Sequence, residues 1–508
     1  MTETVILDGS PLTLLQVEAV ARRSARVELA PQAAEGLTRA RAIVERALAD
    51  GRPHYGVTTG FGSLSRKRLA PEQLRQSQLN LIRSHAAGVG EPLPLETVRA
   101  VTLILAASLA RGRSGVRPQI VEALVAMLNA GVHPVVPSVG SVGASGDLAP
   151  LAHLALVLVG EGAAFAGAGA VPGAEALRAA GIAPVTLEAK EGLALINGTH
   201  LMAAEAALLL SDFDRLFDAA VTATAMSIDA CRASDEYLDP RVHAVRAHPE
   251  SGAVAARLRE LLAGSEILPS HRDDSDPRVQ DPYSFRCAAY ILGAASSLAG
   301  YVKLAAEREL GAVTDNPLVF EGDPDRAIIS AGNFHGMPIA IPLDAMAISV
   351  AHVAGVSERR VFTMLAAADP ESHLTPYLAH KPGLQSGLMI AQYTAAACCN
   401  EITQLASPAT VINLPTSAGM EDYNSFGPRS AAKLRRSLRL AENVIAIELL
   451  CAAEGLGFHA PLKSGAGVEQ ARALVRRRVP ERTEDRPPAP DIEAVCGLIR
   501  AGAFALRR

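Results

Sequence analysis

The residues with the greatest chemical potential are three consecutive small ones, Ala144-Ser145-Gly146, which lie in a glycine-rich loop. The loop leads directly into an apolar run at residues 148–159. Small residues let a backbone bend tightly and let its own atoms approach one another. Such a loop before a helix usually marks a helix start or a backbone site for an anion. It lacks the ending of a phosphate-binding P-loop and the spacing of a dinucleotide fingerprint, so covalent chemistry of the loop itself is the alternative.

Three further side chains have types that suit acid, base or anion-binding chemistry. Tyr55 lies in a second glycine-rich loop, Arg286 follows a short polar segment, and Glu421 is followed by Asp422. Taken singly, each has an ordinary structural explanation: a tyrosine packed on the surface, a structural ion pair, and a solvated acidic pair. Their functional interpretation therefore depends on the rest of the chain.

The composition argues against several kinds of partner. Hydrophobic residues form 49% of the 508 residues, aromatic residues only 4%, and tryptophan is absent, which favours close helix packing over a β-sandwich. The net charge is -5 and no basic block stands out, so the charge gives no support for binding to nucleic acid or to an acidic membrane surface. The six cysteines form no CxxC pair or zinc-like cluster with histidine, so we expect no metal site.

The sequence also predicts where the protein resides. The start at Met1-Thr2-Glu3-Thr4 has no basic-then-apolar signal segment. The longest apolar run, at residues 148–159, is interrupted by His153 and is too short to span a bilayer. We therefore expect a soluble, reduced, cytoplasmic protein with no membrane partner.

The positioning elements change in character along the chain. The first 200 residues alternate helix-like segments with polar or glycine-rich loops, whereas apolar residues at helical spacing dominate afterwards. Several long helices predict a bundle, and their faces are apolar enough to predict self-association. We predict an N-terminal domain over residues 1–200 and a central long-helix bundle with a C-terminal helical region over residues 201–508. The segments with helical spacing are residues 199–233, 344–365, 388–405 and 434–456.

Nine dispersed motifs occur in an order that resembles the aromatic amino acid ammonia-lyases, and the resemblance covers most of the chain. It implies a mainly α fold, in which an elongated central helical bundle of the aspartase/ammonia-lyase-like type accompanies an N-terminal domain that carries the glycine-rich loop. The motifs lie at residues 55–62, 80–88, 143–148, 195–199, 279–287, 314–320, 332–336, 357–360 and 421–422.

The resemblance implies that the glycine-rich loop makes the electrophile of an enzyme. The backbone nitrogen of Gly146 attacks the carbonyl carbon of Ala144, and the loss of two waters gives a 4-methylidene-imidazol-5-one. Its exocyclic carbon comes from Ser145, the only one of the three residues with a β-hydroxyl leaving group. Addition of the substrate amine to this carbon would turn the nitrogen into a better leaving group. No metal or diffusible cofactor would then be needed.

The resemblance also implies roles for side chains around the group. Tyr55 is the leading base for the β-proton of the substrate, which would require its pKa to be lowered from about 10, and Glu421 is the second candidate. The guanidinium of Arg286 would bind the substrate carboxylate through two parallel hydrogen bonds. Residues 357–360 are expected to form a charge network on a helix surface or at a subunit interface. Other implied roles are hydrogen bonds around the group and its developing negative charge from Asn197, Gln280 and Tyr283, and a pocket lined by Asn316 and Phe334.

Two places bear on the substrate. Ser84-His85 resembles the histidine-specific branch, since the tyrosine-specific branch has a His-Leu pair and the phenylalanine-specific branch an apolar residue there. Glu421 is the second, because an acidic residue can contact a polar or cationic substrate. Departures from the usual pattern of the histidine branch leave the exact substrate open. They are Met420, Tyr423-Asn424-Ser425, the Ala288-Ala289-Tyr290 segment and His200.

The resemblance as a whole implies a homotetrameric ammonia-lyase that converts L-histidine to trans-urocanate, with each active site built from three subunits. The closest alternative is an enzyme of the same fold that acts on tyrosine or phenylalanine, including a 2,3-aminomutase. A hydro-lyase of the aspartase/fumarase type would need a Gly-Ser-Ser loop that this sequence lacks. A non-catalytic helical scaffold would keep the unmodified mass.

Overall fold

The computed structural model is built mainly from α-helices and describes residues 4–167, 169–272 and 276–505. Met1, Thr2 and Glu3, on which the expectation about a signal segment depends, lie outside the described residues. The chain forms two compact units that are interleaved along the sequence. The first unit contains Met1–Leu208, Val302–Leu343 and Ala409–Ala431, and the second contains Leu209–Tyr301, Asp344–Pro408 and Ala432–Arg508.

The first unit is organised around buried helices of moderate length. Almost every residue of the helix α4 is buried, and α4 packs against α1 and α5, because Val, Leu, Ile and Ala cover nearly its whole circumference. The helix α5 ends at Gly131, whose φ of 74° closes the helix in the left-handed conformation. These helices are α1 (Leu14–Arg23), α2 (Pro31–Ala49), α3 (Leu74–His85), α4 (Leu95–Ala110), α5 (Pro118–Ala130), α6 (Ala149–Leu158), α7 (Gly173–Ala179) and α8 (Glu191–Ile196).

Three of these helices, α3, α6 and α8, pack against one another. Leu81, Leu151 and Leu195 join them in the main hydrophobic core of the unit. The contact matters because the segments singled out from the sequence lie at the ends of these helices. Ser84-His85 ends α3, the glycine-rich loop precedes α6, and Asn197 follows α8.

Within the described residues, all strands belong to the first unit and form four two-stranded sheets. One pair is parallel and the other three are antiparallel. The strands are β1 (Thr4–Leu7), β2 (Arg26–Leu29), β3 (Val89–Pro92), β4 (Pro137–Val139), β5 (Ala163–Ala166), β6 (Gly169–Pro172), β7 (Leu318–Val319) and β8 (Ile328–Ile329). The four pairs are β1 with β2, β3 with β4, β5 with β6, and β7 with β8.

Four of the five boundaries between the units fall within the longest helices, and the fifth, between Pro408 and Ala409, lies in the segment before the last of them. These helices are α9 (His200–Ala230), α13 (Ala288–Leu310), α14 (Met337–Ala366) and α16 (Gly427–Gly455). The remaining helices belong to the second unit, where α11 packs against α10 and α17. They are α10 (Pro240–Arg246), α11 (Pro249–Leu262), α12 (Tyr283–Arg286), α15 (Met389–Leu405), α17 (Ala466–Arg476) and α18 (Ala489–Arg500).

The prediction of a mainly α fold is therefore confirmed, and long helices occupy all four segments that the apolar spacing predicted. The predicted domain division between residues 200 and 201 stays a prediction. Each of the two compact units contains three separate stretches of the chain. The helices α13 and α14 are long and apolar enough to cross a membrane by length and composition alone, a test that core helices also pass.

Candidate active site

The glycine-rich loop is fixed by backbone contacts to the segment between α8 and α9. The amide of Asp147 donates to the carbonyl of Gly198 at 2.8 Å, and the amide of Gly198 donates to the carbonyl of Ser145 at 3.1 Å. Gly146 has a φ of +75°, and a Cβ added to it would lie 2.1 Å from the carbonyl oxygen of Gly198. Only glycine fits there, because any side chain would collide with backbone that cannot move aside.

Asp147 joins the loop to the start of α9. Its carboxylate oxygen Oδ2 accepts hydrogen bonds from the backbone N–H groups of Leu201 at 2.6 Å and Met202 at 3.3 Å. Burial raises the pKa of Asp147 to about 8, although these two hydrogen bonds act in the opposite direction. The carboxyl group thus holds the first turn of the helix and fixes the direction in which the loop leaves it.

A later segment of the first unit closes the other side of the loop. Ser425, which is fully buried, donates from Oγ to the carbonyl of Gly143 at 3.0 Å, and the amide of Phe426 donates to the carbonyl of Val142 at 2.8 Å. Glu421 lies in the same segment, and its Oε1 accepts from Ser145 Oγ at 3.3 Å. A carboxylate is thereby placed within reach of the hydroxyl of Ser145.

The loop borders a cavity of about 830 Å³ in the first unit. Its size suits a small organic ligand, and all of its lining residues belong to this unit. A smaller cavity of about 250 Å³ shares Ser84, His85 and Glu421 with it. The lining of the larger cavity includes the following residues singled out from the sequence: Tyr55, Ser84, His85, Ser145, Asn197, Asn316, Phe334 and Glu421. Ala144 and Gly146 line the smaller cavity.

His85 is held in one tautomer at the end of α3. Its Nδ1 lies 2.8 Å from the carbonyl oxygen of Leu81, and a carbonyl can only accept, so Nδ1 carries the proton. Burial lowers the pKa of His85, which favours the neutral ring. The remaining nitrogen, Nε2, is then a hydrogen-bond acceptor.

Tyr55 is half-buried, and its hydroxyl oxygen accepts from the amide of Gly62 at 3.2 Å. Burial raises the pKa of Tyr55, and the negative charges of Glu421 and Asp315 raise it further. The expectation of a lowered pKa is therefore not met by the surroundings within this unit. The hydrogen bond from Gly62 is the one contact that acts in the expected direction.

Asn197 and Asn316 are both buried and linked to each other. Asn197 Nδ2 donates to the carbonyl of Asn316 at 3.0 Å and lies 3.5 Å from Asp315 Oδ1. Asp315 in turn forms a buried ion pair with Lys190, whose Nζ lies 2.5 Å from Asp315 Oδ2. Asn197 Oδ1 is buried and has no hydrogen-bond partner among the described residues.

The remaining three predicted site residues belong to the second unit and lie in or beside α12. Gln280 and Tyr283 are exposed, and Arg286 is half-buried. The guanidinium of Arg286 lies 4.5 Å from the centre of the Tyr283 ring, and its Nε donates to the carbonyl of Asp281 at 3.0 Å. The terminal nitrogens of Arg286 are thereby left as the pair that suits a carboxylate.

A buried ion pair, between Arg360 and Glu448, is hydrogen-bonded to the backbone of α12. Arg360 and Glu448 are both fully buried and lie 2.5 Å apart, and Arg360 Nη1 donates to the carbonyl of Ser284 at 3.0 Å. For Arg360, the expectation of a surface or interface charge network is wrong. The charge pattern Ser-Glu-Arg-Arg is typical of an exposed helix face, and the sequence gives no sign of the distant Glu448.

Several supporting residues were not recognised from the sequence. Lys190 lies in none of the nine motifs, and the motif at residues 314–320 implies no role for Asp315. Ser425 belongs to a departure from the family pattern, although it contacts the loop directly. Among the described residues, no group of three or more His, Cys, Asp or Glu side chains is arranged to hold a metal ion.

Comparison with known proteins gives a consistent result. The family profile described as aromatic amino acid lyase matches residues 12–477. A protein named histidine ammonia-lyase from Anaeromyxobacter sp. (strain K) is 49% identical over 99% of this chain and 100% of its own length. One of the same name from Myxococcus xanthus is 46% identical over 98% of this chain and 97% of its own length.

Solved structures agree with the sequence comparisons. Histidine ammonia-lyase from Trypanosoma cruzi is 38% identical, with a TM-score of 0.90 over 99% of this chain and 94% of that one. Tyrosine aminomutase from Streptomyces globisporus is 33% identical, with a TM-score of 0.93 over 99% of this chain and 97% of that one. Proteins with different named activities thus share this fold.

Proposed function

Because the chain belongs to the aromatic amino acid lyase family, we propose that it eliminates ammonia from L-histidine to give trans-urocanate. It is a carbon–nitrogen lyase, and relatives named histidine ammonia-lyase match it along almost its full length. The observation that carries the choice of L-histidine is His85, which offers a neutral ring nitrogen to the cavity that borders Ser145.

The residues of the loop fit the methylidene-imidazolone that the family resemblance implies. Glycine is the only residue type that fits at position 146, because the backbone of Gly198 lies against it. Ser145 supplies the β-hydroxyl, and Glu421 Oε1 is close enough to accept the hydroxyl proton. When present, the group would act as an electrophile toward the amine of the substrate.

Tyr55 is proposed as the base that removes the β-proton at its phenolic oxygen. Tyr55 lines the cavity together with Ser145 and Glu421. Because burial and two carboxylates raise its pKa, only a small fraction is ionised at neutral pH. A nearby positive charge, such as the ammonium group of the bound substrate, would increase that fraction.

Arg286 is proposed to bind the carboxylate of the substrate. Its guanidinium is oriented by stacking on Tyr283 and by the hydrogen bond to Asp281. A planar guanidinium with two terminal nitrogens matches the two oxygens of a carboxylate. Gln280 and Tyr283 are proposed to donate hydrogen bonds around the methylidene-imidazolone and the negative charge that develops on it. Phe334 is proposed to line the substrate pocket.

The side chain of histidine is proposed to lie at the Ser84-His85 end of the cavity. His85 Nε2 can accept a hydrogen bond from an imidazole N–H, whereas a phenyl ring has no such donor. Glu421 lines the same cavity and is close enough to His85 to affect its pKa. It would therefore also attract the imidazole of a substrate bound at this end when that imidazole carries a positive charge. These contacts favour histidine over phenylalanine.

We further propose a cytoplasmic homotetramer in which three subunits contribute to each active site. In each chain the cavity lining comes from the first unit, whereas the proposed carboxylate site lies in the second. The association of several chains would supply both parts to one site.

The first experiment combines intact mass with a spectroscopic assay on the wild type and Ser145→Ala. The wild type is expected to lack two waters relative to its sequence and to produce urocanate, seen as rising near-ultraviolet absorbance. Ser145→Ala should lose nearly all turnover while it keeps the wild-type circular dichroism, because it has no β-hydroxyl to eliminate. Full activity of Ser145→Ala would contradict the proposed chemistry.

One outcome would favour the second candidate function. If two waters are lost but L-histidine is not converted, tyrosine and phenylalanine are the next substrates to test. Met420, which lines the cavity in place of the usual glutamine of the histidine branch, is the residue that supports this alternative.

A further inference from the structure

Lys190 and Asp315 form an ion pair beneath the proposed active site, and no catalytic step above uses it. Their side chains are 0% and 2% exposed, and the distance between Lys190 Nζ and Asp315 Oδ2 is 2.5 Å. Removal of two charges from water is costly, and a buried ion pair is weak evidence of added stability. The pair therefore needs an explanation beyond packing, and the second carboxylate oxygen supplies one.

That second oxygen, Asp315 Oδ1, faces donors only. It accepts from the backbone amide of Asn316 at 2.6 Å and lies 3.5 Å from Asn197 Nδ2. The same Asn197 nitrogen donates to the carbonyl of Asn316 at 3.0 Å. A carboxylate oxygen and a carbonyl oxygen can only accept, so the side-chain amide of Asn197 must point its NH₂ group toward both.

The orientation of Asn197 decides what it offers to a ligand. With both N–H groups directed at Asp315 and Asn316, the only polar atom left is Oδ1, which is an acceptor. This atom is buried and has no hydrogen-bond partner in the part of the chain that the structure describes. Asn197 also lines the cavity, so a donor brought by a ligand would satisfy an atom that is otherwise costly to bury.

The amine of an amino acid is the donor that fits. Asn197 precedes Gly198, which pairs with the backbone of Ser145 and Gly146, so Asn197 lies at the end of the cavity where the amine must react. The carboxylate of the substrate has no donor, and the imidazole is assigned to the His85 end. A hydrogen bond from an ammonium group is among the stronger ones, because the donor is charged.

We propose that Lys190 and Asp315 are positioning residues that hold Asn197 as the hydrogen-bond acceptor for the amine nitrogen of the substrate. The inference rests on the proposed ammonia elimination. It replaces the expectation that Asn197 donates a hydrogen bond to developing negative charge. Lys190 acts at one remove, because its Nζ binds Asp315 Oδ2 and so leaves Oδ1 facing the amide of Asn316 and Asn197 Nδ2.

The test uses two variants of the full-length protein. Asp315→Asn places one NH₂ group and one oxygen where two acceptor oxygens are needed, and Lys190 then attracts the oxygen. The NH₂ group is left facing Asn197, which favours rotation of the Asn197 amide. The double variant Lys190→Met/Asp315→Asn removes this attraction, so the oxygen of residue 315 can turn back toward Asn197 and Asn316.

The readout compares a ligand with an amine and one without. We expect Asp315→Asn to lower kcat/KM for L-histidine about tenfold or more, the effect of one charge-assisted hydrogen bond. The inhibition constant of trans-urocanate, which has no amine, should stay within about twofold, because no contact of that ligand is lost. The double variant should recover part of the loss in kcat/KM. Equal weakening of both ligands, or no recovery in the double variant, would overturn the proposal.

A matched control comes from the next residue along the chain. The buried Glu191 forms an ion pair with the half-buried Arg117 at 2.7 Å, and its carboxylate accepts hydrogen bonds from Arg117 and from the amide of Glu188. Arg117→Met/Glu191→Gln should leave the ratio of the two constants unchanged, and a shift of the same size would mean that any disturbance of α8 has this effect.

The wild type separates this proposal from the proposed function. If it converts tyrosine or phenylalanine instead of L-histidine, the same comparison is made with that amino acid and its acrylate product. If it converts none of the three, the proposed function itself fails, and the inference about Asn197 fails with it.

Discussion

At the scale of single residues, the proposed base and the proposed electrophile site are linked through Glu421. Its carboxylate lies 3.3 Å from Ser145 Oγ. Burial is the largest cause that raises the pKa of Tyr55, and the negative charge of Glu421 raises this pKa further. The same side chain can therefore help to form the reactive loop and also hinder ionisation of the base. These two effects can be separated by pH.

The first prediction concerns Glu421→Gln. If the phenolate of Tyr55 is the base, kcat/KM rises with pH until Tyr55 is ionised. Removal of the negative charge lowers the pKa of Tyr55, so the rising limb should move to lower pH whatever the maximum rate. The pH profile of kcat/KM for the wild type and the variant measures the shift. Tyr55→Phe is the control and should lack this limb. A limb that moves to higher pH would exclude Tyr55 as the titrating group.

At the scale of elements, the start of α9 depends on Asp147. The carboxyl group holds the N–H groups of Leu201 and Met202 while it is fully buried. Burial raises its pKa from the ordinary 3.8 of an aspartic acid to about 8, so between these values the folded protein binds a proton that the unfolded chain releases. The contribution of this group to stability is therefore fully present below pH about 4 and is lost as pH rises to about 8.

The second prediction follows for Asp147→Asn. The amide keeps an oxygen to accept from α9 and has no titrating proton. The wild type should lose about 1.4 kcal/mol of unfolding free energy per pH unit through this group between pH 5 and pH 8, and the variant should not. Thermal midpoints measured across this range at fixed protein concentration give the comparison. Parallel pH profiles for the two proteins would show that Asp147 is ionised throughout.

The short helix α12 depends in a similar way on Arg360. Its guanidinium bonds both Glu448 and the carbonyl of Ser284, and Ser284 lies between the proposed substrate contacts Tyr283 and Arg286. The third prediction is that Arg360→Met costs roughly 3–5 kcal/mol of stability, because it leaves a buried carboxylate unpaired. It should also raise KM for L-histidine.

The double variant Arg360→Met/Glu448→Gln separates these two effects. It should recover most of the thermal midpoint, because no unpaired charge remains. The rise in KM should persist, because the carbonyl of Ser284 still lacks its donor. Recovery of both quantities would mean that Arg360 serves stability alone.

The sequence predicted the helices and the site motifs better than the buried ion pairs that hold them in place. Apolar spacing in α9 and α16 determines their helices locally, and the loop at Ala144-Ser145-Gly146 was found from its residue types. Arg360 and Glu448 are 88 residues apart in sequence, and Lys190 and Asp315 are 125 apart. Neither pair has a local pattern, because a buried ion pair is created by tertiary packing. For the same reason, the direction of the pKa shift of Tyr55 could not be read from its neighbours in the chain.

At the scale of the whole molecule, the proposed site residues are divided between the two units of the chain. Ser145 lies in the first unit and Arg286 in the second. The proposal that several subunits complete each site leads to the fourth prediction. Ser145→Ala and Arg286→Gln should each be nearly inactive when expressed alone, whereas co-expression should restore a measurable fraction of activity in mixed tetramers.

The mixing experiment has a built-in control. The double variant Ser145→Ala/Arg286→Gln, co-expressed with either single variant, cannot form a site with both residues intact, because one of the two residues is then missing from every chain. Activity should therefore appear only with the two single variants together. No activity in that mixture, with tetramers demonstrated by light scattering, would mean that one chain supplies both residues.

The interleaving of the first unit also constrains how the protein is made. Glu421 is 276 residues further along the chain than Ser145. At ribosomal speeds of about 5–20 residues per second, it leaves the exit tunnel roughly 14 to 55 seconds later. During that interval the nascent loop lacks both the carboxylate that contacts Ser145 and the segment that seals Gly143. If the proposed cyclisation requires these contacts, it follows translation of most of the chain, and a newly released molecule is at first an inactive precursor.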